Sequence, residues 1–279
     1  MKKFGWKGLF AGLLQGIFLL YTTVICVGPF IWVIISSFKT NKEILDSAFA
    51  LPTSYAFDGY VRALDMSPIF HFFGNSVWIS VINTIISVLV VAMAAYVLAR
   101  FHFWGKKAFT LLLSSSLLVP VSALLMPIYL LMAQIGLLDT KASLILVYAA
   151  LGLPTSLFIL RGSFLSIPRE IEEAAAIDGA GPLRIFFIVV LPMARSGLAT
   201  AATLHFLTSW NEFMFALVLT KSESVRTLPL ALNYFSSQFS FDYTAMFAAI
   251  TMSVLPSILV YILLQEQVTS SLVAGSVKG

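Results

Sequence analysis

Three stretches of this chain, 13–36, 74–99 and 108–133, contain no charged side chain at all. Each is long enough to cross a bilayer core, which takes about 20 residues of helix. Such a run has to pair its own backbone groups, and a helix does that without help from water. Composition decides what surrounds it. Charged residues are 11% of the 279 and hydrophobic residues 59%, against roughly 25% charged in a soluble domain. Mean hydropathy is +0.95. There is too little polar surface to face water, so the bilayer is the main solvent. The expected fold class is an all-α integral membrane protein, a single transmembrane domain over 1–279. Its six expected spans are about 13–36, 74–99, 108–133, 142–161, 197–219 and 244–265.

Lys2, Lys3 and Lys7 precede the first apolar run, as in a signal peptide, but that run is too long for an h-region and reads as a retained span. Pro29, Pro120, Pro127, Pro154 and Pro256 fall within spans and predict kinks. With the N-terminus inside, the inner side holds Lys2, Lys3, Lys7, Arg100, Lys106, Lys107, Arg161, Arg169, Arg184, Arg195 and Lys278. The outer side holds only Lys39, Lys42, Arg62, Lys141, Lys221 and Arg226. This excess predicts that both termini are cytoplasmic. The net charge of +4 is spread between spans rather than along one stripe, so no nucleic-acid partner is expected. The single Cys26 cannot form an internal disulfide.

The inner loop 162–196 is the one long cytoplasmic segment. Pro168 suits a first helical turn, and Glu170, Glu172 and Glu173 follow where the helix dipole favours acids. Ala174, Ala175 and Ala176 propagate the helix, Gly179 ends it, and Gly181-Pro182 starts a second helix that Pro192 interrupts. Helical spacing puts Ile167, Ile171, Ala174 and Ala175 on one face, with Glu170, Glu173 and Ile177 on a neighbouring strip. By periodicity alone this is equally an ordinary interfacial helix with a solvated acidic face. Lipid-surface helices usually carry Lys and Arg instead, which favours a docking surface for another protein.

Glu173-Ala174-Ala175-Ala176-Ile177-Asp178-Gly179-Ala180, with Phe186, Ile188 and Leu191-Pro192, resembles the EAA loop of ABC importer permeases. Further segments resemble the carbohydrate-uptake branch, and specifically the second permease subunit of maltose-type importers. They are Pro29-Phe30, Ser36-Ser37-Phe38-Lys39, Asn75-Ser76, Trp210-Asn211-Glu212-Phe213, Arg226-Thr227-Leu228-Pro229 and Ala274 to Gly279. Arg195 departs from the pattern, since many relatives carry proline there. The resemblance implies that the loop is a coupling helix seated on an ATP-binding subunit through Glu170, Glu173, Ala174, Ala175, Ile177, Asp178, Gly179 and Ala180. It implies a C-terminal tail contact to the same subunits through Ala274, Gly275, Val277 and Lys278. The implied partners are a second homologous permease, two ATP-binding subunits, an extracytoplasmic solute-binding protein and the lipid bilayer of a bacterial or archaeal cytoplasmic membrane. No cofactor is expected on this chain. ATP and Mg would belong to the partner subunits.

The residues agree with that division of labour. The sequence has no Gly-x-x-x-x-Gly-Lys-Ser/Thr phosphate loop. His71, His102 and His205 are far apart, without metal-ligand spacing, and no nucleophile elbow is present. No catalytic or metal site is expected, and the chain is not expected to be an enzyme. The remaining polar groups lie at membrane depth: Asn83, Thr84 and Ser87 in span two, and His205, Thr208, Ser209, Asn211 and Glu212 in span five. An intramembrane carboxylate is a functional candidate, so Trp210, Asn211 and Glu212 are expected along the substrate path, with a structural role for Glu212 equally open. The cargo expected from the resemblance is a sugar or oligosaccharide. Alternatives are another solute, such as a glycerol phosphate or polyamine, or an ion-coupled secondary transporter with Glu212 as its sole in-span carboxylate.

Overall fold

The computed structural model describes residues 6–235 and 241–276, with side chains over 12–235, 241–263 and 265. The described residues are almost wholly helical and contain no β-strand. In order they form α1 (Trp6–Ser36), α2 (Asn41–Asp46), α3 (Asp58–Met66), α4 (Ile69–Arg100), α5 (Lys106–Ser116), α6 (Leu125–Gln134) and α7 (Lys141–Leu165). Then come α8 (Arg169–Ile177), α9 (Pro182–Arg184), α10 (Leu191–Met193), α11 (Arg195–Trp210), α12 (Met214–Leu219) and α13 (Tyr243–Ser276). A π-helical stretch, Ile185–Val190, joins α9 to α10, and 3-10 turns cover Val121–Leu124 and Leu228–Phe235.

Among the described residues, four stretches are long and apolar enough to cross a membrane: Gly12–Ser36, Ile69–Arg100, Lys141–Leu165 and Tyr243–Leu263. Two bent pairs raise the number to six if each is one span. Lys106–Ser116 with Val121–Gln134 turns by 100°, and Pro182–Met193 with Arg195–Trp210 turns by 79°. The all-α, multi-pass membrane fold is thus the one the apolar runs predict.

Two expected spans are not single rods. In 108–133, Ser114, Ser115 and Ser116 bond back to the carbonyls of Thr110, Leu111 and Leu113. Pro120 then supplies no N–H, and its ring crowds the carbonyl four residues back. Back-bonded serines and a proline are both helix benders, and α5 stops at Ser116. In 197–219 the helix ends at Trp210 and resumes at Met214. The expected interruption at Pro192 also moves. The chain absorbs Pro192 by widening into the π stretch before it, since Ile188 cannot receive a bond from a residue without an N–H. The helix breaks instead at Ala194.

The chain divides into two compact units. One comprises Met1–Ile69 and Ala231–Val254, and the other Phe70–Leu230 and Leu255–Gly279. In the first, Thr244 pins the end of α1: its hydroxyl donates to Lys39 O at 2.7 Å and its amide to Asn41 Oδ1 at 3.1 Å. Gly59 packs there because a Cβ would lie 2.6 Å from Thr244 Cγ2. Lys39 is 1% exposed, its ammonium held by the Ala48 and Ser47 carbonyls. Thr40 and Glu43 form a capping box at α2. Hydrogen bonds from the Thr53 hydroxyl, then the Thr40 and Thr53 amides, lower the Glu43 carboxyl to about 2.

The second unit holds two apolar clusters. One gathers Val91, Ala95, Leu160, Phe164, Phe186 and Val190. The other gathers Ile79, Leu144, Val147, Phe215, Leu219 and Leu230. Helices α7 and α11 are packed closely, and two glycines permit it. A Cβ on Gly152 would fall 1.9 Å from His205 Nδ1, and one on Gly197 would fall 2.4 Å from Ser163 Oγ.

Candidate functional site

The segment singled out in the sequence folds as a short helix with a defined stop. Pro168 stands in extended conformation before α8, and Glu170 and Glu172 lie in its first turn. At the other end Gly179 has φ +84°. Its N–H bonds the Ala176 carbonyl and the Ala180 N–H bonds that of Ala175, both at 3.0 Å. These two bonds make a Schellman motif, which needs a left-handed residue where glycine is least strained. Gly181 and Pro182 then open α9 as expected.

What holds α8 in place was not foreseen. Arg100, the last residue of α4, donates from Nε to Glu172 Oε1 at 2.5 Å and from a terminal nitrogen to the Ile167 carbonyl at 2.8 Å. The Tyr96 hydroxyl donates to Glu172 Oε2 at 3.0 Å. Both ion-pair side chains are nearly buried, at 7% and 12% exposure. Around them Tyr96 meets Phe101, Phe164 and Phe186 with ring centroids 5.1–6.0 Å apart. Glu172 is therefore an anchor, and its neighbour Glu173 faces outward. The sequence did carry a signal, since Arg100 is the sole charge in α4 and Glu172 sits one position off the acidic strip.

Glu170, Glu173, Ala174, Ile177, Asp178 and Gly179 are exposed. Ala175 and Ala180 are instead half-buried against the apolar cluster below. Of the eight residues expected on the docking face, these two are therefore the least accessible. Ile177 is 86% exposed, and Leu183 at the start of the next helix is 72% exposed. The outer face of the hairpin therefore combines carboxylates with two bare aliphatic side chains, of which Leu183 was not anticipated.

At membrane depth the polar residues do converge. Asn83 donates to Ser209 Oγ at 2.5 Å and accepts from Ser87 at 3.2 Å, and its Oδ1 lies 3.2 Å from His205 Nε2. All four are buried. Glu212 occupies the break between α11 and α12. Its carboxylate accepts from the Tyr148 hydroxyl at 2.8 Å and from the Phe215 and Ala216 amides at 2.8 and 3.0 Å. It thus caps α12 and ties that helix to α7. Trp210 is 2% exposed, with Phe206 stacked on it and Phe73 in edge contact. The Trp210 ring is therefore covered by its own chain. Asn211 is exposed, its amide donating to Leu207 O at 2.8 Å. Glu212→Gln puts an NH2 group where one oxygen now accepts, so a melt should show a loss of about 1–3 kcal/mol. An unchanged melting temperature would remove the capping role.

The segment after α12 is clamped by residues the resemblance flagged and by one it did not. Asn75 donates to the Ser224 and Arg226 carbonyls, and Ser76 Oγ accepts from Leu228 N. Asp139, at φ 58°, accepts from the Ser222 hydroxyl and from the Lys221 and Ser222 amides. Those bonds, the Ser222 hydroxyl's first, hold its carboxyl below the ordinary range. Of the expected tail contacts, Ala274 and Gly275 continue α13 without described side chains, and Val277 and Lys278 lie outside the described residues.

Residues 91–272 match the family described as binding-protein-dependent transport system inner membrane component. The chain is 39% identical to the diacetylchitobiose uptake system permease protein NgcG of Streptomyces coelicolor, over 96% of this chain and 89% of that one. It is 31% identical to the trehalose/maltose transport system permease protein MalG of Thermococcus litoralis, over 92% and 93% respectively. The fold is similar to a chain of a bacterial ABC transporter involved in the import of the acidic polysaccharide alginate. That match has a TM-score of 0.82 at 23% identity and covers 95% of this chain and 99% of that chain. With more than half its length in the family match, the chain belongs to the inner membrane components of binding-protein-dependent transport systems.

Proposed function

We propose that the chain is one of two homologous permease subunits of an ATP-driven importer for sugars or oligosaccharides. Relatives named for diacetylchitobiose and for trehalose/maltose uptake support the cargo class. The observation that carries the coupling role is the α8 hairpin: a rigid, anchored element whose outer face bears Glu170, Glu173 and a bare Ile177. An aliphatic side chain 86% exposed at a span end suits a partner's pocket, and the acids beside it suit basic residues around that pocket. Two ATP-binding subunits would hold ATP and Mg, and hydrolysis would occur there rather than on this chain. Their closure on nucleotide would move α8 and switch access to the cavity. The excess of basic residues on the side of α8 supports a cytoplasmic position for this end and for both termini. The loop 220–243 would then face the solute-binding protein outside, and the C-terminal tail from Ala274 would reach the ATP-binding subunits. Solute would pass the helix break at Asn211 and Glu212, where Asn211 offers its amide and Glu212 holds the break open.

Glu173→Arg and Gly179→Val test the docking face in the assembled transporter. Both should leave the chain in the membrane, lose the co-purifying ATP-binding subunits and cut ATP-dependent uptake about tenfold or more. Undiminished coupled uptake in both variants would end the docking assignment.

A further inference from the structure

The loop joining α4 to α5 forms, with Arg161 near the end of α7, an open groove of about 870 Å³. His102, Phe103, Trp104, Lys106, Lys107 and Arg161 line it, and no carboxylate among the described residues does. Lys106 Nζ is taken by the Phe101 carbonyl at 2.9 Å. Lys107 and Arg161 have no ion-pair partner among the described residues, and Arg161 Nε is buried without a hydrogen bond. A buried guanidinium nitrogen left unpaired is costly unless a ligand completes it.

The neighbouring helix terminus adds to the same demand. The 11-residue α5 follows Gly105 at φ +86°, has no side-chain cap and has no acid in its first turn. Instead it opens on Lys106 and Lys107, two cations at the end where the helix dipole favours an anion. The walls are apolar, with Phe103, Leu111 and Trp104, the last fully exposed. A bare tryptophan at the end of a span belongs in the headgroup layer of a bilayer. A soluble phosphate would use the cations and leave these walls wet, whereas a phospholipid uses both.

We propose that this groove binds an anionic phospholipid, its phosphate held by Arg161, Lys107 and the α5 N-terminus, its glycerol and upper acyl chains against Trp104, Phe103 and Leu111. The groove shares no lining residue with the α8 docking face.

The test uses the assembled transporter in nanodiscs with equal phosphatidylglycerol and phosphatidylcholine, followed by native mass spectrometry of the released complex. Phosphatidylglycerol should be retained over phosphatidylcholine by about tenfold, and Arg161→Gln with Lys107→Gln should bring the two level. Arg161→Lys should keep part of the preference. If Arg161→Gln fails to assemble, Lys107→Gln alone, at the groove mouth, should still lower retention. Excess glycerol phosphate should not displace the lipid. Equal retention of both lipids by the unaltered chain would overturn the proposal, as would a preference that survives the double change or displacement by glycerol phosphate. A photo-crosslinker at position 104 that captures a protein subunit instead of lipid would overturn it too.

Discussion

Arg100→Ala is expected to leave the chain inserted but to uncouple it, with ATP hydrolysis persisting while solute uptake falls about tenfold or more. The substitution removes the donor that Glu172 and the Ile167 carbonyl share. Breaking a buried ion pair from one side costs about 3–5 kcal/mol, because the remaining charge stays buried and uncompensated. With Glu172 stranded, α8 would lose its tie to the end of α4 while its outer face stayed intact. An ATP-binding subunit would then grip a lever with a loosened base. Glu172→Gln should do less harm, since an amide oxygen still accepts from Arg100 or Tyr96. Arg100→Ala with Glu172→Ala should do less harm than Arg100→Ala alone, because no buried charge is stranded. Moles of ATP hydrolysed per mole of solute moved is the deciding ratio. If it is the same in Arg100→Ala as in the unaltered chain, the anchor has no part in coupling.

The parts of this arrangement differ in how far the sequence exposed them. The α8 hairpin was legible to the residue, because each of its stops is local: a proline before the helix, acids in its first turn, a glycine that must turn left-handed. Which alanines face out was not, since Ala174 and Ala175 differ only in what the rest of the chain puts beneath them. The Arg100–Glu172 pair joins residues far apart in sequence, and nothing local distinguishes Glu172 from Glu173. Spans four and six, and the first two, followed from apolar length alone. The bend in span three was legible only as a kink at Pro120, and the break in span five was not legible, because hydropathy is blind to a serine that bonds backward or a glutamate that caps a new helix inside the membrane. Glu212 illustrates the limit. Its position marked it as a functional carboxylate, and its three donors give it a structural task in addition.

The contact of α7 with α11 yields the sharpest steric expectation, at Gly152. An added methyl would lie 1.9 Å from His205 Nδ1 and 2.1 Å from Cε1, well inside any tolerable separation. The imidazole is buried and its Nε2 is already engaged with Asn83, so it can yield only by giving up that bond and disturbing Ser87 and Ser209 as well. Gly152→Ala should therefore destabilise by about 3 kcal/mol or more, the upper part of the range for overpacked cores. Gly162→Ala is the control on the same helix. A Cβ there meets nothing within 4 Å, and replacing a helical glycine should gain about 0.5–1 kcal/mol. His205→Ala introduced into Gly152→Ala empties the space the methyl needs. The double variant should then recover a large part of the lost stability, even though His205→Ala alone creates a void. Thermal unfolding of these four variants beside the unaltered chain in nanodiscs reads all of this at once. A Gly152→Ala chain as stable as Gly162→Ala, or no recovery in the double variant, would show that α7 and α11 part easily. The close approach of these helices would then not be what fixes the Asn83 cluster between α4 and α11.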